Sequence, residues 1–152
     1  MANNHIEIIE GNIFKDERGR INSVNDFHFE NVRRCYMIRN ANTDVVRGWN
    51  GHKFERKWFY CIKGSFAVGL VEIDNWESPS KELSAEVYQL DENQSKILAV
   101  PTGYANCLKA MEEDSIIIVY SDKTLDEAAG DNWKYDSNLW VDWSQYNKLN
   151  VK

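Results

Sequence analysis

Proline, cysteine and histidine are scarce in this chain of 152 residues, which contains two, three and three of them, respectively. With so little proline and no low-complexity segment, the sequence shows no linker and predicts a single domain over residues 1–152. The cysteines are odd in number and lack the CxxC spacing of metal and redox sites. We therefore predict reduced, buried thiols at Cys35, Cys61 and Cys107.

A surplus of basic residues is also absent, because 18 Lys and Arg face 24 Asp and Glu, for a formal net charge of −6. This balance excludes general nucleic-acid binding, which needs a basic face, but leaves room for one local basic pocket. No apolar run approaches the ~20 residues that span a bilayer, and the N-terminus lacks the basic-then-apolar order of a signal peptide. We expect a cytoplasmic protein with no membrane contact.

Aromatic residues, by contrast, are abundant, with six Trp, seven Tyr and six Phe. Short apolar or alternating runs recur between turn signals, which is typical of an all-β sandwich or barrel. Two of these runs, 57–62 and 65–73, predict a hairpin that turns at Lys63–Gly64. The segment 125–129 is the only helix candidate before a tail rich in Trp and Asn.

The most informative stretch is the segment 46–53 together with Lys57. It brings a guanidinium (Arg47), an amide (Asn50), an imidazole (His52) and an ammonium (Lys57) within eleven positions, at the entry to an apolar run. Polar groups on a strand entry, backed by aliphatic and aromatic core, are typical of a small-molecule pocket in a β-barrel.

Several fragments, taken in order, resemble the nucleotide-sugar cupins, namely the dTDP-4-dehydrorhamnose 3,5-epimerase family and the related dTDP-sugar 3,4-ketoisomerases. These fragments are Asp16-Glu17-Arg18-Gly19, Arg47-Gly48, Pro101-x-Gly103-Tyr104-Ala105, Tyr120 at a strand end, and the tail Gly130-Asp131-Asn132-Trp133-x-x-Asp136 with Trp140. The resemblance implies a jelly-roll β-barrel with a short, partly helical C-terminal tail. It also implies a homodimer that acts on a nucleotide-linked sugar without a cofactor.

The resemblance further implies catalytic roles. His52 would take a proton next to a ketone, Lys57 would stabilise the resulting enolate, and Tyr120 or Tyr36 would return the proton. The alternatives are a structural histidine, a solvated lysine at the rim of the barrel, and tyrosines that belong to the core.

For substrate binding, Arg47 can hold a diphosphate in a bidentate manner, although an ion pair with Asp44 is the alternative. Arg34 is a weaker phosphate candidate. The other predicted binding residues are amides, aromatic side chains and one further guanidinium, namely Asn50, Asn106, Tyr104, Arg18 and Trp49.

Two departures from the family pattern bear on the chemistry. Asn50 and Asn106 occupy the places of the two family histidines, and an amide cannot abstract a proton at neutral pH. The places at which many cupins bind a metal read Asn50, His52, Glu55 and Asn106, a poor donor set for a transition metal, so we expect no metal.

The sequence therefore leaves three hypotheses. The first is an isomerase or epimerase of a nucleotide-linked 4-keto-6-deoxy sugar. The second is a cupin that has lost catalysis and binds a sugar or sugar nucleotide, which the two asparagines favour. The third is a structural subunit in surface-polysaccharide synthesis that neither binds nor exchanges protons with such a sugar.

Overall fold

The computed structural model describes residues 4–147, in which two five-stranded antiparallel sheets face each other. The strands are β1 (Glu7–Glu10), β2 (Asn12–Asp16), β3 (Gly19–Ser23), β4 (Arg34–Ile38), β5 (Val46–His52), β6 (Lys57–Lys63), β7 (Ser65–Glu72), β8 (Ala85–Asp91), β9 (Lys96–Val100), β10 (Tyr104–Ala110), β11 (Ile116–Ser121) and β12 (Trp133–Lys134). The helices are α1 (Leu125–Ala128) and a single 3₁₀ turn (Trp143–Gln145).

The strand order is that of a jelly roll. The first sheet runs β1-β9-β6-β11-β4 and the second β12-β5-β10-β7-β8, while β2 and β3 form a separate hairpin. From β4 onwards the chain crosses from one sheet to the other at most connections, and only β7 and β8 are consecutive strands that pair within a sheet. The all-β jelly-roll prediction is confirmed, although the two sheets are not joined by hydrogen bonds into a closed barrel.

The main core lies between the two sheets and follows from the alternation of side chains along each strand. Its largest fully buried members are aromatic and aliphatic side chains from both sheets, including Phe59, Phe66, Leu70, Leu98 and Ile117. Burial of side chains of this size contributes about 1.5–3 kcal/mol each. This apolar layer forms the floor of the polar cavity described below.

A second core covers the outer face of the second sheet. The chain after β12 folds back over this face, where Trp143 and Trp140 pack against Trp49. The Trp49 indole also donates a hydrogen bond to the carbonyl of Leu139, at 2.8 Å. The tail therefore packs against the outer face of β5, the strand that carries Arg47 and His52.

The predicted hairpin at Lys63–Gly64 is wrong. β6 pairs with β9 and β11, whereas β7 pairs with β10 and β8 in the other sheet. Gly64 has a φ of +70°, and a Cβ there would lie 2.0 Å from the hydroxyl oxygen of Ser115. The two residues therefore form a tight corner between the sheets rather than a turn within one sheet.

The cysteine prediction is correct for two residues and wrong for the third. Cys61 and Cys107 are buried, and burial raises the pKa of each thiol to about 12. Cys35 is exposed, because on β4 it alternates with Arg34 and Tyr36, which face the space between the sheets.

Candidate active site

A polar cavity lies between the two sheets, next to the edge strands β4 and β12. One half, of about 360 Å³, is lined from β4, β5, β6, α1 and the segment after it, and it contains His52, Glu55 and Lys57. The other half, of about 400 Å³, contains Arg47 and Asn106. Tyr36, Asn50 and Lys57 line both halves, so the two form one continuous site.

An irregularity in β5 explains how the residues of the central motif reach the same cavity. Asn106 pairs with Asn50, but the next residue, Cys107, pairs with Gly48, so Trp49 is an extra residue in the ladder. Such a bulge reverses the alternation of side chains, which brings Arg47 to the cavity as well as Asn50. Gly48 has a φ of +139°, and a Cβ there would lie 2.6 Å from the carbonyl oxygen of Asn106.

His52 is 7 % exposed, and its hydrogen bonds fix which nitrogen is free. Nδ1 lies 2.9 Å from the carbonyl oxygen of Asp131 and 3.2 Å from Oε1 of Glu55. Both neighbours are acceptors, so the network assigns the proton to Nδ1. Nε2 has no hydrogen-bond partner within residues 4–147 and therefore retains a free lone pair.

The pKa of His52 is lowered, first by burial and then by the positive charge of Lys57. The carboxylate of Glu55 and the carbonyl and charge of Asp131 oppose this shift. A histidine with a lowered pKa is neutral at pH 7, which is the state that a general base requires.

Glu55 lies in the loop before β6 and is 2 % exposed. Its Oε2 accepts hydrogen bonds from Arg34, at 2.9 Å, and from the hydroxyl of Ser121. Its Oε1 faces His52 and lies 4.0 Å from Nζ of Lys57. Burial alone would raise the pKa of Glu55, but its neighbours Lys57, Ser121, His52 and Arg34 outweigh that effect and lower it.

Lys57 and Tyr36 form a pair on the wall of the cavity. Nζ of Lys57 donates a hydrogen bond to the hydroxyl of Tyr36, at 2.8 Å. The guanidinium of Arg34 lies over the same tyrosine ring, 5.0 Å from its centre. A donor pair of this kind suits the stabilisation of a developing oxyanion.

Asp131 anchors the loop that carries Glu55. Its carboxylate accepts the backbone N–H groups of Lys53, Phe54 and Glu55 at 2.7, 2.8 and 3.1 Å. Because its own carbonyl contacts His52, one residue fixes both the loop and the ring. The chain reaches this point through α1, which Thr124 and Glu127 begin with a capping box.

The structure brings together seven of the residues predicted from the sequence, namely His52, Lys57, Tyr36, Arg47, Arg34, Asn50 and Asn106. Asn50 and Asn106 are direct neighbours across β5 and β10. The alternative ion pair between Arg47 and Asp44 does not form. Instead, Nε of Arg47 is 3.4 Å from the side-chain oxygen of Asn40.

Four predicted residues do not line the cavity. Tyr120 points to the other face of the first sheet, where it packs against Phe27 and Phe29. Trp49 belongs to the core behind the second sheet. Tyr104 lies at the edge of the main core, and Arg18 is exposed on the β2–β3 hairpin, where it pairs with Asp16.

Sequence reasoning missed three polar lining residues, namely Arg39, Asn132 and Lys134, and it gave Arg34 only a minor role as a phosphate candidate. Glu55 had been considered only as a metal ligand. Alternation along β4 could have grouped Arg34 with Tyr36, but no local signal connects residues 132 and 134 to the motif about eighty positions earlier.

The charges of the lining side chains favour an anionic ligand. Among them Glu55 is the only carboxylate, whereas Arg34, Arg39, Arg47, Lys57 and Lys134 are cationic. Arg47 and Lys134 form no ion pair with any residue between positions 4 and 147. A local basic cavity thus exists in a chain whose net charge is −6.

The side chains in the cavity do not suit a metal ion. Within the described part of the chain, no group of three or more His, Cys, Asp and Glu residues is placed to bind one. The donors near His52 are two amides and a carboxylate that Arg34 and Ser121 already engage. Separately, none of the helices between residues 4 and 147 has the length and apolar character needed to span a bilayer.

Comparison with solved structures shows the fold. A mutant of the 3,4-ketoisomerase QdtA from Thermoanaerobacterium thermosaccharolyticum, in complex with TDP-4-keto-6-deoxyglucose, is 19% identical with a TM-score of 0.67, covering 95% of this chain and 96% of that one. The Mycobacterium tuberculosis rmlC epimerase is 20% identical with a TM-score of 0.73, covering 91% and 74%. The dTDP-4-dehydrorhamnose 3,5-epimerase of Bacillus anthracis is 16% identical with a TM-score of 0.70, covering 91% and 84%.

These neighbours share the fold that the resemblance predicted from the sequence. No curated protein matches the chain. The family described as "FdtA: WxcM-like, C-terminal" matches residues 4–137. That match includes every residue of the cavity, and the chain belongs to this family.

Proposed function

We propose that this protein is an isomerase or epimerase of a nucleotide-linked 4-keto-6-deoxy sugar, and that it serves deoxysugar and surface-polysaccharide synthesis. The observation that carries the proposal is the free Nε2 of a buried, neutral His52 in the same cavity as the Lys57–Tyr36 pair. A base and an oxyanion-stabilising pair in one cavity are the groups needed to enolise a ketone.

In this proposal each group has one role. Nε2 of His52 takes the proton from the carbon next to the ketone. Lys57 and the hydroxyl of Tyr36 donate hydrogen bonds to the ketone oxygen as it gains negative charge. The sequence suggested Tyr120 or Tyr36 for the return of the proton. Tyr36 reaches the cavity and Tyr120 does not, and in this proposal Tyr36 serves the ketone oxygen. Proton transfer within a single sugar requires no redox cofactor.

The cationic half of the cavity provides the site for the diphosphate. Arg47 and Arg39 lie there, next to the amides of Asn50 and Asn106. A guanidinium binds phosphate oxygens in a bidentate manner, and amides suit sugar hydroxyls. The ligand class is supported by QdtA, whose structure holds TDP-4-keto-6-deoxyglucose.

Proton exchange tests the proposal directly. The protein is incubated with TDP-4-keto-6-deoxyglucose in D₂O, and deuterium uptake is followed by mass spectrometry and NMR. We expect uptake at C3, C4 or C5, lost in His52→Ala and Lys57→Ala but retained in His28→Ala, whose histidine is exposed outside the cavity. Conversion to a 3-keto product with deuterium at C4 would identify a ketoisomerase, and uptake at C3 or C5 with inversion an epimerase. Full turnover in His52→Ala would refute the assigned roles.

A binding protein without catalysis is the second candidate, and the pair Asn50–Asn106 favours it. These amides face each other across two strands and replace the histidines of the family pattern. Saturable binding of the sugar nucleotide without deuterium uptake would support this function. Neither binding nor uptake would favour a structural subunit instead.

We also propose a homodimer, which the resemblance to the nucleotide-sugar cupins implies. The chain has a mass of 17.8 kDa, so light scattering after size exclusion would give about twice that value. A concentration-independent monomer would contradict the proposal.

A further inference from the structure

A buried carboxylate beside the candidate base has no role in the function proposed so far. Glu55 contacts His52, Arg34, Ser121 and Lys57, which come from β5, β4, β11 and β6. A carboxylate that is 2 % exposed is costly unless it is paired and hydrogen-bonded. The four neighbours satisfy it and hold it in one position, with Oε1 directed at the ring of His52.

The contact fixes the tautomer of the histidine. Nδ1 of His52 has two acceptors, the carbonyl oxygen of Asp131 at 2.9 Å and Oε1 of Glu55 at 3.2 Å. A neutral imidazole has one N–H, and two acceptors at Nδ1 hold that proton there. Nε2, which is itself buried and has no hydrogen-bond partner among residues 4–147, therefore remains the basic nitrogen.

The carboxylate also matters once His52 has accepted a proton. The charged groups that face the ring are Glu55 from the loop before β6, Asp131 from the segment after α1, and Lys57 from β6. The carboxylate of Asp131 already accepts hydrogen bonds from three backbone N–H groups. Glu55 is thus the carboxylate in direct contact with the ring, and without it only Asp131 would offset the ammonium of Lys57 when the ring is charged.

We propose that Glu55 is a positioning residue that holds His52 as the Nδ1–H tautomer and balances its charge while the ring carries the substrate proton. This inference rests on the proposed function. The C–H bond next to the ketone breaks, its electron pair forms the C=C bond of the enolate, and the proton binds Nε2. The Nδ1 proton stays between ring and carboxylate. After the Nε2 proton has exchanged with solvent, Nε2 delivers a proton to a carbon of the enolate, which regenerates a ketone and the neutral ring.

Nitrogen NMR of the free protein tests the positioning role without any substrate. The chain has three histidines, so His5→Gln and His28→Gln variants assign the His52 signals. We expect a protonated Nδ1 and an unprotonated Nε2 at pH 8. In Glu55→Gln we expect the pKa of His52 to fall by about one unit or more, because an opposite charge is removed at contact distance.

The control for that titration is Glu77→Gln, which removes the same charge from an exposed loop residue outside the cavity. It should leave the pKa of His52 unchanged. An unchanged or raised pKa in Glu55→Gln would overturn the proposal. A neutral Nε2–H tautomer in the unmodified protein would also overturn the proposal. This measurement decides the matter even if Glu55→Gln fails to fold.

Kinetics provides the second readout. In the proton-exchange assay we expect Glu55→Gln to lower kcat roughly 10²-fold with KM nearly unchanged, and Glu55→Asp to recover part of the loss. If Glu55→Gln instead raised KM by a similar factor and left kcat unchanged, the positioning role would be overturned. If the unmodified protein exchanges no proton, the proposed function fails, while the NMR experiment still decides what Glu55 does to His52.

Discussion

At the scale of single residues, the environment of His52 determines the protonation state of the proposed base. Burial and Lys57 favour the neutral ring, whereas Glu55 and Asp131 favour the charged ring, and the net effect is a lowered pKa. Nε2 thus stays unprotonated at neutral pH and is free to accept a proton. This balance leads to a prediction about pH.

The rate of proton exchange should rise with pH through the pKa of His52, with a midpoint below the ordinary value for histidine of about 6.5. The exchange rate falls at low pH because protonated His52 cannot accept a proton. Since the pKa of His52 is lowered, this loss of activity occurs at a more acidic pH than for an ordinary histidine. Exchange rates between pH 5 and 8 measure the midpoint. A midpoint above pH 7 would contradict the neutral state derived for the ring.

At the scale of elements, two irregular positions determine which side chains of β5 reach the cavity and where the chain passes from one sheet to the other. The bulge in β5 brings Arg47 to the same cavity as Asn50, and the corner at Gly64 carries the chain from the first sheet to the second. Both positions are glycines with positive φ, at which a Cβ would approach neighbouring atoms too closely. Strand propensity alone would not identify either of them.

Replacement of Gly64 by alanine should lower the free energy of unfolding by at least ~1–2 kcal/mol. A φ of +70° is unfavourable for alanine, and the added Cβ would lie 2.0 Å from Oγ of Ser115. Urea denaturation followed by fluorescence measures the change.

Gly130→Ala is the matched control for this variant. Its Cβ would have no heavy atom within 4 Å, and its φ is not in the positive range. We expect a change within about ±0.5 kcal/mol there. Equal stability of Gly64→Ala and Gly130→Ala would show that the corner tolerates a side chain.

At the scale of the whole molecule, charge is distributed unevenly. The chain has a net charge of −6, yet the lining of the cavity has five cationic side chains and one carboxylate. A concave basic site in an acidic protein attracts small anions without creating an extended face for nucleic acid. The distribution therefore favours a small phosphorylated ligand.

Binding of TDP should weaken about tenfold in Arg47→Met, because a guanidinium that can contact phosphate is lost. Affinity should also fall as NaCl rises from 50 to 500 mM. Isothermal titration measures both effects. Lys81→Met, which removes a positive charge from an exposed loop, should bind like the unmodified protein. An unchanged affinity in Arg47→Met would place the diphosphate elsewhere.

The sequence by itself determined the positions of the strands and the chemical content of the central motif. The predicted runs 57–62 and 65–73 agree with β6 and β7 to within one residue, and Lys57 lies at the start of β6. These features are local, since the period of side chains along a strand follows from the backbone alone. The motif 46–57 likewise supplied Arg47, Asn50, His52 and Lys57 to the cavity.

Only the tertiary structure decided which strands pair and which distant residues complete the site. The runs on either side of Gly64 read as a hairpin, but each finds its hydrogen-bond partners in a different sheet. Tyr36 reaches Lys57, and Asp131 reaches the ring of His52, across 21 and 79 positions of sequence. Glu55 lies only three positions after His52, but the residues that hold it there, Arg34 and Ser121, come from β4 and β11. Such contacts depend on packing between remote segments, which local periodicity does not encode.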